Sequence, residues 1–239
     1  MLRDGSLGKY LCEFIGTFSL VFFAAGAVMV TSLTGQPGPI GAGLISGLVI
    51  SIVIYSFGHV SGAHVNPALS IAAAVLNKLE WRLVPGYVAA QMLGSALGGY
   101  ALLLALGPVA DIGANLPNGE LGISAGVAFV IELFLSFLLM WVICGTAYDE
   151  AAALPFAGIA IGATVGIEVM LMGPVAGAAM NPARAFGPFL ARGDFTEFWI
   201  YLAGPILGML AGALAFRVTH LRNARAGVAK GPGEKRAAP

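Results

Sequence analysis

Apolar residues along the chain gather into six long runs, at roughly 10–33, 40–57, 83–106, 122–146, 154–172 and 198–219, separated by polar or glycine-rich connections. Each run is close to the ~20 residues that an α-helix needs to cross the hydrocarbon core of a bilayer, so the pattern predicts six spanning helices. Glu13 lies inside the first run and no small-residue cleavage pattern follows in a suitable place, so this run reads as a spanning helix rather than a removable leader. Two further apolar runs, ALSIAAAVL at 68–76 and ARAFGPFLA at 183–191, are too short to cross. A segment of about ten residues fits a re-entrant half-helix, tolerated at membrane depth only where its exposed backbone is buried in protein or lines water.

Composition excludes a soluble protein. Of the 239 residues 58% are hydrophobic and only 10% charged, against roughly a quarter charged in soluble domains. Net charge is zero, so only the placement of charge is informative. Arg3 and Lys9 precede the first run, Lys78 and Arg82 follow the second, and Arg217, Arg222, Arg225, Lys230, Lys235 and Arg236 follow the sixth. Lys and Arg in short loops mark the cytoplasmic side, so both termini are expected there. Loops 34–39 and 107–121 carry no Lys or Arg, as the opposite side requires; Arg184 and Arg192 are the exceptions on that side, and the loop at 147–153 has only Asp149 and Glu150. The basic stretch 221–239 is expected to be a disordered cytoplasmic tail beyond a single channel domain at 1–220. Cys12 and Cys144 sit in apolar runs without metal-ligand spacing or a disulfide framework. No nucleophile with a base, phosphate loop or metal cluster is evident, so neither an enzyme nor a cofactor or metal is expected, and no nucleic-acid partner.

The two halves repeat. Glu13 and Glu132 occupy matching places in the first and fourth runs (132 − 13 = 119), HVNPALS and AMNPARA place Asn66 and Asn181 at 181 − 66 = 115, and Gln91 and Pro205 follow at 205 − 91 = 114. Repeat one covers about 9–106 and repeat two about 122–220. Three spans per half is an odd number, so the second copy enters from the opposite face. Pro67 and Pro182 suit the first position of a helix and the preceding Asn suits its cap. The two half-helices would then meet near the midplane with their positive N-termini facing. Gly94, Gly98, Gly208 and Gly212, at four-residue spacing, suit close helix crossing.

GHVSGAHVNPA, GAAMNPARAFGP, the paired Glu residues and WIYLAGP together resemble the major intrinsic protein family, the aquaporins and glycerol facilitators, over roughly 9–220. The resemblance implies an all-α membrane fold of six helices and two half-helices around one pore per subunit, four subunits to an assembly, in a lipid bilayer. It implies that Asn66, Pro67, Ala68, Asn181, Pro182 and Ala183 form the pore centre, and that Arg184 belongs to a narrow filter on the extracellular side. By spacing from the two Asn residues, the other filter positions are Ser46, Val169 and Ala178. Glu13, Glu132 and His64 are expected to support the re-entrant loops, and the carbonyls of residues 63–65 and 177–179 to offer acceptors to solutes. Small Ser46, Val169 and Ala178 depart from the aromatic filters of strict water channels, and Ala185 stands where glycerol facilitators carry Asp. With GATVGIEVMLMGPVAGAAMNPARAFGP and Tyr201-Leu202, these residues look more like the nodulin-like intrinsic proteins and their bacterial relatives. That subgroup implies a channel for water, glycerol, urea and neutral metalloid hydroxides such as arsenous or boric acid, excluding ions and protons. A strict water channel and a secondary transporter are the alternatives. The transporter lacks a carboxylate cluster at the midplane and has few spans for alternating access. Glu168, beside a filter position, leaves two readings open: facing the lumen, or pairing with a polar group at the subunit boundary.

Overall fold

A computed structural model describes residues 5–149 and 154–228. Within them lie the helices α1 (Ser6–Thr34), α2 (Gly38–Ser61), α3 (Pro67–Val75), α4 (Val84–Leu106), α5 (Ala125–Ile143), α6 (Ala157–Ala176), α7 (Pro182–Arg192) and α8 (Phe198–Val228). A π-helical turn, Cys144–Tyr148, continues α5. The six long helices are each long and apolar enough to span a membrane, while α3 and α7, of 9 and 11 residues, are not. The fold is the expected all-α one, with two matching sets of three spans and a half-helix.

Boundaries moved where local chemistry decides them. The fourth span starts at Ala125 because the Ser124 hydroxyl accepts the Val127 N–H and caps it. The fifth runs on through Pro174 to Ala176. The tail expected to be disordered from 221 is helical as far as Val228, and 229–239 lie outside the described residues. Leu221, Arg222, Ala224, Arg225 and Ala226 are good helix formers, and the next proline is Pro232.

The molecule is polar inside and apolar outside. Glu13, Thr17, Gln91, Ser95, Glu132 and Ser136 are fully buried, whereas Ile40, Leu93, Leu104 and Leu171 stand exposed, Leu104 at 90%. In water such an apolar girdle would drive aggregation; against lipid tails it costs nothing. Helices then associate by close packing at small residues. Gly43 and Gly47 of α2 face Gly162 and Gly166 of α6, and a Cβ on Gly47 would strike the Gly162 carbonyl. Gly94 lets α4 close on the Phe14 carbonyl of α1, and Gly208 lets α8 close on the Leu133 carbonyl of α5. These crossings hold α3 and α7 in the interior, where α3 packs on α8 and α7 on α4.

Candidate functional site

Each half-helix is capped by its own asparagine. Asn66 is extended (φ −154, ψ 115), and its Oδ1 accepts the backbone N–H of Ala68 and Leu69. Asn181 repeats this (φ −158, ψ 109) with Ala183 and Arg184. A cap of this kind is worth about 1 kcal/mol. The side-chain amides then cross between halves. Asn66 Nδ2 donates to Met180 O at 2.9 Å, and Asn181 Nδ2 donates to Val65 O at 2.8 Å. One amide hydrogen of each asparagine therefore ties the two loops together. Asn66 Nδ2 also lies 4.0 Å from Met209 Sδ, a weak acceptor.

The loops before the caps are held in conformations that side chains other than glycine avoid. Ala63 and Val65 have φ of 49 and 43, and Ala178 and Met180 have φ of 47 and 51. Such backbone costs about 1–3 kcal/mol per residue and persists only when its surroundings enforce it. Glu13 does so in the first half: its carboxylate accepts His64 N–H at 2.9 Å, Val65 N–H at 2.6 Å, Ser61 Oγ–H at 2.7 Å and Gln91 Nε2–H at 2.8 Å. In the second half, among the described residues, Glu132 accepts only Ala179 N–H at 2.7 Å and Met180 N–H at 2.8 Å. The acid in each half thus aims the peptide units ahead of its asparagine. His64 is buried, with Nδ1 3.1 Å from Ser70 Oγ and its ring edge-on to Tyr87.

A further pair of supports escaped the sequence reading. The Tyr87 hydroxyl donates to Ser61 O at 2.6 Å, and the Tyr201 hydroxyl donates to Ala176 O at 2.9 Å. Each tyrosine lies on the third span of its half and holds the end of the second. Their separation, 201 − 87 = 114, equals that of Gln91 and Pro205, which is the signal that could have found them.

A cavity of about 390 Å³ runs past both asparagines and is lined by residues of both halves. Its lining combines aliphatic side chains, among them Leu20, Ile50, Leu139, Ile161 and Val165, with the loops at 62–66 and 177–181. Ser46, Val169, Ala178 and Arg184, distant in sequence, all line this one cavity. The Ser46 hydroxyl is turned back onto Ala42 O at 2.8 Å. Arg184 is buried, and its guanidinium donates to Gly113 O from both terminal nitrogens and to Asn115 Oδ1 at 3.1 Å. Gly113 and Asn115 come from the connection between α4 and α5, which the sequence presented only as a stretch without Lys or Arg. A cation at membrane depth must have partners, but nothing local in the sequence says which.

Glu168 answers to neither reading left open for it. Val165, Val169 and Gly173 turn to the cavity, and Glu168, about 100° round the helix from Val169, is not among the lining residues. At 6% exposed it is covered by its own chain and so cannot meet a second subunit. Neither carboxyl oxygen has a hydrogen-bond partner among the described residues.

The chain matches the family model of the major intrinsic proteins over residues 3–216. It is 41% identical to aquaporin NIP1-1 of Zea mays over 217 residues, covering 90% of this chain and 76% of the relative. It is 40% identical to nodulin-26 of Glycine max over 217 residues, covering 89% of this chain and 78% of the relative. Its fold is similar to the X-ray structure of the aquaglyceroporin from Plasmodium falciparum, with a TM-score of 0.78 at 27% identity, over 92% of this chain and 99% of that one. With six spans, two capped half-helices and these relatives, the chain belongs to the major intrinsic protein family, as a multi-pass membrane channel of the nodulin-26-like type.

Proposed function

We propose that the channel passes water together with small uncharged solutes of the size of glycerol, urea and neutral metalloid hydroxides, and excludes protons and ions. The observation that carries this reading is the constriction set: Ser46, Val169 and Ala178 are small and share one cavity wall system with Arg184 and both asparagine amides. No aromatic ring or imidazole stands at those three positions, so a polyol meets less steric rejection than it would at a ring-lined filter. Solutes exchange part of their hydration for the Asn amides and loop carbonyls on one side and slide against aliphatic side chains on the other. The half-helix N-termini face each other with about half a positive charge each, which opposes cations and hydronium alike. Residues 1–220 act as the channel unit, four copies assemble, and both termini lie on the cytoplasmic side of a cell or plasma membrane, as the Lys and Arg placement favours.

Stopped-flow light scattering on proteoliposomes tests the reading. Flux should be linear in solute concentration and independent of sodium or proton gradients. The double substitution Ser46→Phe with Val169→His should suppress glycerol and metalloid passage while sparing water. Unchanged glycerol conductance in that variant would remove the argument from filter width, and a fixed coupling to an ion gradient would favour a transporter.

A further inference from the structure

The duplication makes the two asparagine caps alike, yet the atoms around them differ. The Asn66 carbonyl accepts both the N–H and the hydroxyl of Ser70, each at 3.0 Å. Its Nδ2 faces two acceptors, Met180 O at 2.9 Å and Met209 Sδ at 4.0 Å. At Asn181 the counterpart of Ser70 is Ala185 (185 − 70 = 115), which has no hydroxyl to give. Among the described residues the Asn181 carbonyl therefore accepts only the Ala185 N–H, at 3.3 Å, and Nδ2 donates only to Val65 O. Both asparagines line the cavity, so an amide hydrogen left without a protein acceptor is open to whatever occupies it.

Met209 makes the difference between the two amides. It is fully buried on α8 and is not among the residues lining the cavity. Its repeat counterpart on α4 is Ser95 (209 − 95 = 114), which clasps the backbone of α7 instead: the hydroxyl donates to Ala183 O and accepts the Gly187 N–H at 2.7 Å. Helices α4 and α7 touch there through glycine, since a Cβ on Gly99 would strike the Gly187 carbonyl. In the other half the matching places hold Ala213 (213 − 99 = 114) and Ala72 (187 − 72 = 115), whose methyl groups set α3 off from α8. A long, flexible thioether fills such a gap and brings a weak acceptor to Asn66. We infer that the two asparagines divide the work at the pore centre: Asn181 offers a free amide hydrogen to the solute, while Met209 draws the second hydrogen of Asn66 away from the lumen and leaves Asn66 to brace the opposite loop. Met209 is thus a positioning residue that acts through Asn66. A solute at the centre meets one free donor and one already engaged, and so is held less firmly and leaves sooner.

The inference rests on the channel reading, which flux through the unmodified protein tests separately. Solid-state NMR of the protein, labelled with 15N-asparagine and embedded in lipid bilayers, reads the side-chain amide protons of Asn66 and Asn181. Magnetisation transferred from channel water should reach the Asn181 amide more strongly than the Asn66 amide. Met209→Leu keeps nearly the same volume and removes the sulfur. In that variant the Asn66 amide proton should shift and gain transfer from water, while the Asn181 signals stay where they are. A second free donor grips a polyol more than a water molecule, so the glycerol-to-water flux ratio by light scattering should fall about twofold, the scale of one weak hydrogen bond. A methionine with only a packing role would change Tm and leave both amides and the flux ratio as they were. Equal transfer from water to the two amides in the unmodified protein, or an Asn66 amide unmoved in Met209→Leu, overturns the inference. If Met209→Leu does not fold, the comparison of the two amides in the unmodified protein decides alone.

Discussion

Glu132 and Glu168 are both buried carboxyls on neighbouring helices, and the same substitution should destabilise the protein at the first and leave it nearly unchanged at the second. Glutamine at 132 keeps one acceptor and turns an NH2 toward the other donor. One of the N–H groups of Ala179 and Met180 then loses its partner, a loss of about 1–3 kcal/mol. The same loop carries Ala178 and Met180 at positive φ, so backbone strain of about 1–3 kcal/mol per residue acts against the weakened tether. For a chain of this length each kcal/mol moves Tm by about 2–4 °C, so Glu132→Gln should melt about 2–12 °C lower in detergent. Water flux in proteoliposomes should fall with it, because Met180 leads directly into Asn181. Glutamine at 168 breaks no hydrogen bond and should stay within about 2 °C of the unmodified protein, while Glu168→Met, which removes a buried polar group lacking a partner, should match or exceed it. Melting curves followed by fluorescence-detected size exclusion read all three variants. Equal destabilisation by the two glutamines, or a larger effect at 168, would refute the idea that hydrogen bonds to the loop, and not burial alone, make Glu132 matter.

Three shorter predictions use other parts of the channel. Tyr87→Phe and Tyr201→Phe each remove one buried hydrogen bond to a helix-end carbonyl, about 1 kcal/mol, and being in different halves they should add in the double variant; strong non-additivity in melting would show the halves to be coupled there. Gly47→Leu forces a side chain against the Gly162 carbonyl and should cost about 1–3 kcal/mol or more, read as a fall in Tm of the purified protein, and an unchanged Tm would mean α2 and α6 can separate freely. Arg184→Ala removes a buried positive charge from the cavity wall; at ~5 Å and an effective dielectric of ~20 that charge is worth about 3 kcal/mol against a cation, so proton or potassium leak should rise about 100-fold, and a vesicle assay with no increase would locate the ion barrier entirely at the half-helix N-termini.

Much of the architecture is legible in the amino-acid order because its causes are local. A bilayer demands ~20 apolar residues per span and a satisfied backbone, so six long runs and two short ones already dictate six spans and two half-helices. Asn-Pro at the head of each short run specifies a capped helix start in the same local way. The nearly equal offsets between Asn66 and Asn181 and between Gln91 and Pro205 need only a duplication to explain them.

Partnerships across the fold were decided only in three dimensions. Arg184 advertises its need for acceptors, but Gly113 and Asn115, which meet it, lie 71 and 69 residues away in a loop whose own sequence carries no sign of the task. Each asparagine amide spends one hydrogen on the opposite loop, 114 and 116 residues distant, and no neighbouring residue in the sequence announces that bond. Glu168 differs from Val169 by one step of sequence and about 100° of helix, so the rotation of α6 against its neighbours, and not the order of residues, turned it away from the lumen. Hydropathy fixes how many helices lie in the membrane; packing at the glycines fixes how they are rotated, and rotation chooses which polar atoms a passing molecule meets.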